Sequence, residues 1–279
     1  MIDFKRDLKL QVATALHEDI GDGDITALLI DPEITANAQV ISREAATICG
    51  QDWFNASFHQ IDSAINIEWQ VNDGDLVKKD QVLCKINGKA RALLTAERTA
   101  LNFLQTLSAT ASLTRHYADS LAAFNTRILD TRKTIPGMRL AQKYAVHCGG
   151  GQNHRIGLYD AILIKENHIA SSGSISAAVK SAQNLELGKM IEIEVEDLDQ
   201  LHQALEAGVD RILLDNMSIE QLNEAVAITN HRAELEASGG ITIDNIKQIA
   251  STGVDFISVG VLTKDIKAVD LSMQILMNE

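Results

Sequence analysis

The sequence predicts an α/β protein in which a small mixed α/β unit precedes a parallel α/β barrel, closed or incomplete, within 279 residues. Two observations support the barrel. From Arg127 onward, apolar runs of strand length alternate with segments of helical periodicity, and two turns repeat almost literally: Ala207-Gly-Val-Asp-Arg-Ile212 and Thr252-Gly-Val-Asp-Phe-Ile257. Each turn has a glycine where a helix must end and an apolar strand begins. Repeated β-α units with short links require a parallel sheet.

The N-terminal unit begins with a predicted amphipathic helix over residues 3–16, followed by an acidic loop over 17–26. The acid spacing in that loop does not match a calcium-binding EF-hand. Strand-like alternation then runs to residue 86, with predicted strands at 38–43, 47–50, 65–71 and 81–86. In this region Val71, Leu76 and Val82 are predicted to point inward. A long helix without proline is predicted over residues 90–123.

The second half contains six predicted strands, with helical patterns between them. The strands are 127–130, 161–167, 190–196, 211–216, 233–240 and 256–260, and the helices lie near 138–147, 174–186, 197–207, 218–229 and 242–252. No Gly-x-Gly-x-x-Gly follows an early strand, and the sequence has no Walker loop. A dinucleotide-binding fold is therefore disfavoured.

Composition excludes several classes of function. The chain has 25 Lys and Arg against 38 Asp and Glu, a net charge of −13, which does not fit a general nucleic-acid or anionic-membrane surface. No apolar run resembles a secretion signal or approaches a membrane span. Cys49, Cys84 and Cys148 are odd in number and far apart, so free thiols are favoured over disulfides or a zinc site. We expect a cytoplasmic protein.

One segment, residues 127–168, is cationic within this acidic chain. Its three acids are outnumbered by seven basic side chains: Arg127, Arg132, Lys133, Arg139, Lys143, Arg155 and Lys165. Such a local excess of positive charge predicts a site for a small, highly charged anion.

Polar residues also follow the predicted strands, at the ends where the active sites of parallel α/β barrels lie. In chain order they are Thr131, Arg132, Lys133, Lys165, Glu194, Asp215, Ser238, Gly239, Gly240, Ser258, Val259 and Gly260, with His154 and Arg155 in the loop before the second strand. Arg and Lys bind carboxylates. Asp and Glu accept hydrogen bonds from hydroxyl groups or bind magnesium. Strand ends that contain glycine offer backbone N–H groups to phosphate. Each residue alone also fits a surface charge or a turn. Their occurrence at consecutive strand ends favours a site.

Four motifs in and around this segment closely resemble the quinolinate phosphoribosyltransferase family: Thr131-Arg-Lys-Thr-Ile-Pro-Gly-Met-Arg139, His147-Cys-Gly-Gly-Gly-Gln-Asn-His-Arg155, Gly157-Leu-Tyr-Asp160 and Lys165-Glu-Asn-His168. Shorter matches occur elsewhere: Glu18-Asp-Ile-Gly-Asp-Gly-Asp-Ile-Thr26, Glu97-Arg-Thr-Ala-Leu-Asn102, Leu213-Leu-Asp-Asn216 and Ser238-Gly-Gly240. The resemblance therefore extends over essentially the whole chain.

This resemblance implies two domains and a homodimer. An N-terminal α/β sandwich over residues 1–110, joined by the tail 268–279, would accompany an incomplete parallel, TIM-barrel-like α/β barrel over 111–267 with its active site at the C-terminal ends of the strands. The N-terminal domain of one subunit would cover the barrel mouth of the other. Arg98 would then reach into the partner's site.

The implied reaction joins quinolinate to 5-phosphoribosyl-1-pyrophosphate and releases nicotinate mononucleotide, pyrophosphate and carbon dioxide, a step of NAD biosynthesis. The resemblance assigns catalysis to Lys133, Lys165, Glu194 and Asp215. Substrate binding falls to Arg98 from the partner, Thr131, Arg132, Lys133, His154, Arg155, Lys165, Glu194, Asp215, Ser238, Gly239, Gly240, Ser258, Val259, Gly260 and Val261. Magnesium is the implied cofactor, associated with Glu194 and Asp215 through the pyrophosphate.

Three alternatives stay open from the residues. A paralogous phosphoribosyltransferase acting on a related aromatic acid is the nearest, because an anion clamp selects charge more than ring identity. A Schiff-base aldolase with Lys165 as its nucleophile is the second, and a non-catalytic barrel that binds an anionic metabolite is the third. The acidic Asp-Asp motif of the Rossmann-like phosphoribosyltransferases is missing, which disfavours that architecture.

Overall fold

The computed structural model of the chain describes residues 3–276, which form two compact units. The first unit takes the described part of residues 1–115, with 134–150 and 262–276, and the second takes 116–133 and 151–261. Residues 134–150, from the cationic segment, thus belong to the first unit. The predicted domain boundaries at residues 110 and 267 stay a prediction. No helix in the described part is long and apolar enough to cross a membrane.

The first unit contains antiparallel strands and helices. In chain order its elements are α1 (Leu8–Ile20), a 3-10 turn (Ala27–Leu29), β1 (Thr35–Ser42), β2 (Ala46–Thr47), α2 (Gln51–Ile61), β3 (Asn66–Trp69), β4 (Leu76–Val77), β5 (Val82–Lys89) and the start of α3 (Ala90–Ser120), with α4 (Arg139–Cys148) and β12 (Leu271–Leu276) from later in the chain. Its main sheet has the order β12-β1-β5-β3, and β2 pairs with β4. Strand β12 pairs antiparallel with β1, so the C-terminal tail contributes an edge strand.

The core of this unit lies between the main sheet and the helices α2 and α3. Phe54 and Phe58 of α2 and Leu101 and Leu104 of α3 are almost completely buried and belong to one cluster with sheet residues. Full burial of a side chain of this size contributes roughly 1.5–3 kcal/mol. The long proline-free helix α3 therefore supplies part of the core of the unit.

Several predicted elements of the first unit differ from the observed ones. Helix α1 continues to Ile20, into the predicted acidic loop, and ends at Gly21, whose φ of +53° is left-handed. Helix α2 was missed, because its aromatic residues resemble a strand pattern. Leu76 was predicted to point inward and is 68% exposed, whereas its neighbour Val77 is buried.

The second unit is the barrel. Its elements are β6 (Arg127–Leu129), β7 (Ile162–Ile164), α5 (Glu166–Ser172), α6 (Ile175–Gln183), β8 (Ile191–Val195), α7 (Leu198–Ala207), β9 (Arg211–Asp215), α8 (Ile219–Thr229), β10 (Glu234–Ser238), α9 (Ile246–Ala250) and β11 (Phe256–Ser258), followed by α10 (Val261–Lys264). All six strands are parallel, in the order β6-β11-β10-β9-β8-β7.

The barrel is incomplete. Strands β6 and β7 are the two ends of the sheet and do not pair with each other within residues 3–276. Part of the β6 edge is covered by the loop before β7, where Gln152 exchanges backbone hydrogen bonds with Ile128 and Asp130 at 2.8 and 3.2 Å. The fold class predicted from the sequence is confirmed.

The two repeated turns have the same structure. Gly208 and Gly253 have φ of +71° and +92°, which favours glycine after a helix. The aspartate two residues later then accepts a hydrogen bond from a neighbouring strand: Asp210 from the Ile191 N–H at 2.7 Å and Asp255 from the Leu235 N–H at 2.8 Å. Each turn therefore ties the start of its own strand to the start of the preceding strand, β8 for β9 and β10 for β11.

Candidate active site

A pocket of about 180 Å³ opens at the carboxyl ends of the barrel strands, and residues of the second unit line it. Nine lining residues were predicted from the sequence: Thr131, Arg132, Lys133, His154, Arg155, Lys165, Glu194, Ser238 and Ser258. The other three are Leu163, Leu213 and Glu236. Residues far apart along the chain thus meet in one cavity.

The register of the strands explains this convergence. Leu213 pairs with Glu194 on one side and with Glu236 on the other. Paired residues of parallel strands face the same side, and side chains alternate along each strand. Glu192, Glu194 and Glu236 therefore all point into the barrel.

The remaining predicted residues lie around the pocket or in the other unit. Asp215, at the end of β9, pairs with Ser238 and accepts a hydrogen bond from the Asn216 side chain at 2.7 Å. Gly239 and Gly240 follow β10, and Val259, Gly260 and Val261 follow β11. Arg98 is exposed on α3, in the first unit.

Two of these glycines stand where a side chain would not fit easily. A Cβ on Gly239, which has a φ of +97°, would lie 2.1 Å from Oδ1 of Asn216. A Cβ on Gly260 would lie 3.2 Å from Cδ of Lys133. Small residues at these strand ends therefore allow the neighbouring loops to approach closely.

The two arginines of the pocket have unused hydrogen-bond donors. The Nε atoms of Arg132 and Arg155 are buried and donate to no acceptor within residues 3–276. Burial, and then the positive charge of Arg132, lowers the pKa of Arg155. Buried donors without partners are rare, and two neighbouring guanidinium groups repel each other. The pair is arranged to receive an anion.

The loop that carries Arg155 is held by Asp130, a residue whose role was missed from the sequence. Asp130 is completely buried just after β6 and accepts hydrogen bonds from the His154 N–H at 2.9 Å and the Asn153 side chain at 2.7 Å. Its position directly after a strand was the available signal. Asp160 holds the other end of the loop, accepting from the Ile156 N–H at 2.6 Å.

Lys165 forms an ion pair with Glu194 at the mouth of the pocket. Lys165 follows β7 directly, and its backbone N–H donates to Nδ1 of His168 at 3.0 Å at the start of α5. On the other side, the Lys133 N–H donates to Oγ1 of Thr131 at 3.1 Å. Two ammonium groups thus extend from turns with defined backbone geometry.

Below the pocket lie two carboxyl groups that we name the buried acid pair, Glu192 and Glu236. Both residues have no exposed surface. Nε2 of His154 lies 2.9 Å from an oxygen of Glu192 and 3.5 Å from one of Glu236. Burial raises the pKa of Glu192, while burial and then the Glu192 charge raise the pKa of Glu236 to about 8. The sequence indicated an acidic face on β8, but not Glu236.

The buried acid pair and His154 also have the spacing of a metal site, since their ligand atoms all lie within 4.8 Å of one another. A guanidinium nitrogen of Arg211 lies 3.6 Å from Glu236, and its central carbon stacks 4.1 Å above the Phe256 ring. A positive charge is therefore already supplied by the protein. All four carboxylate oxygens of the buried acid pair are buried and accept no hydrogen bond within residues 3–276.

Family models match nearly all of the chain. The model described as Quinolinate phosphoribosyl transferase, N-terminal domain, matches residues 24–108, and the model of the C-terminal domain matches residues 110–274. The chain belongs to the quinolinate phosphoribosyl transferase family.

Members of this family are similar to the chain over most of their length. A quinolinate phosphoribosyltransferase [decarboxylating] 1b of Nicotiana tabacum is 40% identical over 96% of this chain and 82% of that protein. A probable nicotinate-nucleotide pyrophosphorylase [carboxylating] of Bacillus subtilis is 40% identical over 92% of this chain and 90% of that protein. The family predicted from the motifs is confirmed.

The fold of the family is shared as well. The structure of the nicotinate-nucleotide pyrophosphorylase from Francisella tularensis superimposes with a TM-score of 0.94, is 48% identical, and covers 99% of this chain and 98% of that one. The fold is therefore shared with this nicotinate-nucleotide pyrophosphorylase over nearly the whole of both chains.

Proposed function

We propose that the chain is a quinolinate phosphoribosyltransferase that makes nicotinate mononucleotide, pyrophosphate and carbon dioxide for NAD biosynthesis. One observation carries the proposal: the buried Nε donors of Arg132 and Arg155 have no acceptor in the described chain. Guanidinium groups bind carboxylates through paired N–H donors. A dianionic pyridine ring supplies acceptors to both arginines, and Lys133 adds a third positive charge at the pocket.

The activated sugar binds at the other strand ends. Backbone N–H groups of Ser238–Gly240 and of Ser258–Val261 receive the 5-phosphate, because these turns have little side-chain bulk. The carboxylates of Glu194 and Asp215 accept hydrogen bonds from the ribose hydroxyl groups. Binding both substrates at one barrel opening converts a bimolecular displacement into a reaction of positioned groups.

Departure of pyrophosphate leaves positive charge on the sugar ring. The carboxylates of Glu194 and Asp215 stabilise that charge, and Lys165, paired with Glu194, keeps the carboxylate in place. Decarboxylation then leaves a carbanion beside the ring nitrogen, which is now cationic and absorbs much of the new charge, and a proton from solvent completes the nicotinate ring. No covalent intermediate with the protein is required.

Magnesium is the proposed cofactor, and the donor set at the pocket mouth fits it. Magnesium prefers oxygen ligands and binds proteins through one or two carboxylates together with substrate phosphates. Glu194 and Asp215 extend from neighbouring strands on the same face, and each uses one oxygen within the protein, for Lys165 and Asn216. When bound, the ion supplies charge neutralisation for the departing pyrophosphate.

A homodimer with shared active sites is part of the proposal, with Arg98 contributed by the partner subunit. Large apolar side chains are exposed on α3 and on the segment bonded to it: Leu94, one turn before Arg98, is 39% exposed, and Ile25, Leu28 and Leu29 are 68–86% exposed. Thr95 donates to Asp24 at 2.8 Å and holds this segment on α3. Several exposed large apolar side chains close together along the chain are typical of a protein interface.

A cytoplasmic location is also proposed. Cys49, Cys84 and Cys148 are all free thiols, and Cys49 and Cys84 are buried. Proteins of reducing compartments keep their cysteines in this form.

The Schiff-base alternative fits the geometry poorly. Nζ of Lys165 is in an ion pair with Glu194. An ammonium group has no lone pair with which to attack a carbonyl.

The test is an activity assay with magnesium, the pyrophosphorylated sugar and either quinolinate or nicotinate. We expect nicotinate mononucleotide and stoichiometric carbon dioxide from quinolinate, and little or no product from nicotinate. Product from nicotinate at an equal rate would support the paralogous activity, and no product from either acid would refute the proposal. Omission of magnesium, with a chelator present, is expected to abolish turnover.

A further inference from the structure

The motif Gly157-Leu-Tyr-Asp160 has no part in the reaction described above, yet its aspartate is bonded to the loop that carries Arg155. Both oxygens of the Asp160 carboxylate accept hydrogen bonds from successive backbone N–H groups, Oδ2 from Ile156 at 2.6 Å and Oδ1 from Gly157 at 2.8 Å. Hydrogen bonds from a backbone N–H to a carboxylate are stronger than those between neutral groups. Asp160 therefore fixes the chain directly after Arg155.

Asp130 fixes the chain directly before Arg155 in a similar way. Its Oδ1 accepts a hydrogen bond from the His154 N–H at 2.9 Å, and its Oδ2 accepts one from the Asn153 side chain at 2.7 Å. Because Asp130 is completely buried and follows β6 directly, its own position is set by the barrel. The backbone of Arg155 is thus held on both sides by two carboxylates, which we name the loop aspartates, Asp130 and Asp160.

The side chain of Arg155 is held far less firmly than its backbone. Its Nη1 donates to the Ala161 carbonyl at 3.4 Å, and its buried Nε donates to no acceptor within residues 3–276. Leaving a buried donor unpaired is unfavourable, so a mobile backbone would let this guanidinium group reach other acceptors. A backbone that is fixed on both sides keeps these donors available for a ligand, which is a form of preorganisation.

We propose that the loop aspartates are positioning residues for the ring substrate: they hold the backbone of Arg155 so that its guanidinium group is in place before a substrate carboxylate binds. Arg155 lines the pocket, whereas neither aspartate does, so both act through Arg155. Their effect should therefore be confined to the dicarboxylate and should not extend to the activated sugar, which binds at other strand ends. The identity of the dicarboxylate, quinolinate, rests on the proposed function.

The positioning role is tested by the kinetics of Asp160→Asn in the full-length protein. An asparagine side chain keeps one acceptor oxygen but places an NH2 group opposite one of the two backbone N–H groups, so one hydrogen bond is lost and two donors face each other. We expect the KM for quinolinate to rise about tenfold, because a small misplacement of a binding group weakens capture. The kcat and the KM for the pyrophosphorylated sugar should change less than about twofold.

Asp255→Asn is the matched control, since it makes the same chemical change at another aspartate that accepts a backbone N–H. Asp255 accepts from Leu235 at 2.8 Å, but it stands directly before β11, at the end of the barrel opposite to the pocket. This variant should lose stability to urea without a change in the KM for quinolinate. An equal rise of that KM in Asp160→Asn and Asp255→Asn would overturn the proposal, because general loosening of the fold would then explain both.

An unchanged KM for quinolinate in Asp160→Asn, or equal rises of the KM for both substrates, would contradict the positioning role.

Calorimetric titration of quinolinate into the wild-type protein and Asp160→Asn measures the same effect without turnover, and we expect about tenfold weaker binding in the variant. If the wild-type protein binds quinolinate but makes no product, the proposed function fails, and this comparison still decides the positioning role. Absence of quinolinate binding to the wild-type protein would refute both.

If Asp160→Asn does not fold, Asn153→Ala replaces it. That change removes the side-chain donor to Asp130 and leaves the aspartate in place. We expect a smaller rise of the KM for quinolinate, about threefold, with kcat unchanged. A KM equal to that of the wild-type protein would contradict the role of Asp130.

Discussion

Lys165 is the residue for which an effect on catalysis can be separated most easily from an effect on the stability of the fold. Its side chain is 41% exposed, and its ion pair with Glu194 is at the pocket mouth. Exposed and half-exposed ion pairs contribute only about 0–1 kcal/mol to stability. In the proposed function, the same contact keeps in place a carboxylate that stabilises the transition state.

For Lys165→Ala we therefore expect kcat/KM to fall by about 10²-fold, because Glu194 loses the partner that keeps its carboxylate in place and a small misplacement of a positioned group has an effect of this size. The urea midpoint should change little. Lys180→Ala, on the exposed side of α6, is the matched control and should retain full activity. Wild-type activity of Lys165→Ala would remove this residue from the site.

Glu236 makes a second prediction, about stability and pH. Its pKa is about 8 in the folded protein, against an ordinary value of 4.5, because of burial and the neighbouring Glu192. Between pH 5 and 8 the unfolded chain loses this proton while the folded protein keeps it. The contribution of Glu236 to stability must therefore decrease as pH rises through that window.

Glu236→Gln removes this titration. Relative to wild type, the variant should become more stable as pH rises from 5 to 8, by up to about 1.4 kcal/mol per pH unit. Urea unfolding of both proteins at several pH values measures the difference. A difference that is constant with pH would show that Glu236 is ionised throughout, despite the contacts of His154 and Arg211 around it.

At the scale of elements, the repeated turns explain how neighbouring strands are kept in register. Asp210 and Asp255 each accept a hydrogen bond from a backbone N–H of the adjacent strand. These bonds lie at the starts of the strands, and the pocket lies at their other ends. In barrels of this kind that end determines stability rather than catalysis.

Asp255→Ala should consequently lower the free energy of unfolding by about 1–3 kcal/mol, because the Leu235 N–H loses its acceptor. The KM values and kcat should stay within about twofold of wild type at temperatures where the variant is folded. Calorimetry and the activity assay together test this separation. A variant with normal stability and impaired catalysis would contradict it.

Much of the barrel could be predicted from the sequence, since each β-α unit carries its own local signals of apolar strand, helix period and turn glycine. The pocket residues on strand ends followed from that order. Helix α5 was missed because its seven residues, Glu166–Ser172, contain no clear apolar period. Helix α2 was missed because Trp53, Phe54 and Phe58 resemble strand residues when their partners in the fold are unknown.

The buried acid pair could not be predicted in the same way. Which side of β10 faces inward depends on its register with β9, where Glu236 pairs with Leu213. That register is a long-range property of the sheet. The alternation of Glu192, Glu194 and Glu196 on β8 was visible, but nothing local assigned a partner to Glu192.

At the scale of the whole molecule, the acidic surface and the cationic pocket are complementary features. A net charge of −13 repels anions over most of the protein, whereas Arg132, Lys133, Arg155 and Lys165 line one cavity. The local field at the barrel opening, rather than the overall charge, determines which ligands are concentrated there.

The proposed homodimer with shared active sites makes a prediction for the assembly. Arg98→Ala and Lys165→Ala should each be nearly inactive alone. If Arg98 acts on the partner's site, mixing and reassembling the two variants creates dimers with one intact site, and about a quarter of wild-type activity should return after random exchange of subunits. Activity is measured before and after exchange, and sedimentation measures the oligomeric state.

If no activity returns although mixed dimers form, Arg98 acts within its own subunit or outside the site. Reassembly of each variant with itself is the control, since it creates no intact site under either arrangement.

The gap in the barrel has a consequence for how this protein can evolve. Among residues 3–276 no strand joins β6 to β7, and the loop that covers the edge of β6 through Gln152 is the same loop that carries Arg155. A bare strand edge invites association with other chains. Insertions or deletions between Gly150 and Ile156 should therefore have two harmful effects, weaker binding of the ligand and aggregation through the exposed edge of β6. We expect variants that remain functional to keep the length of this loop.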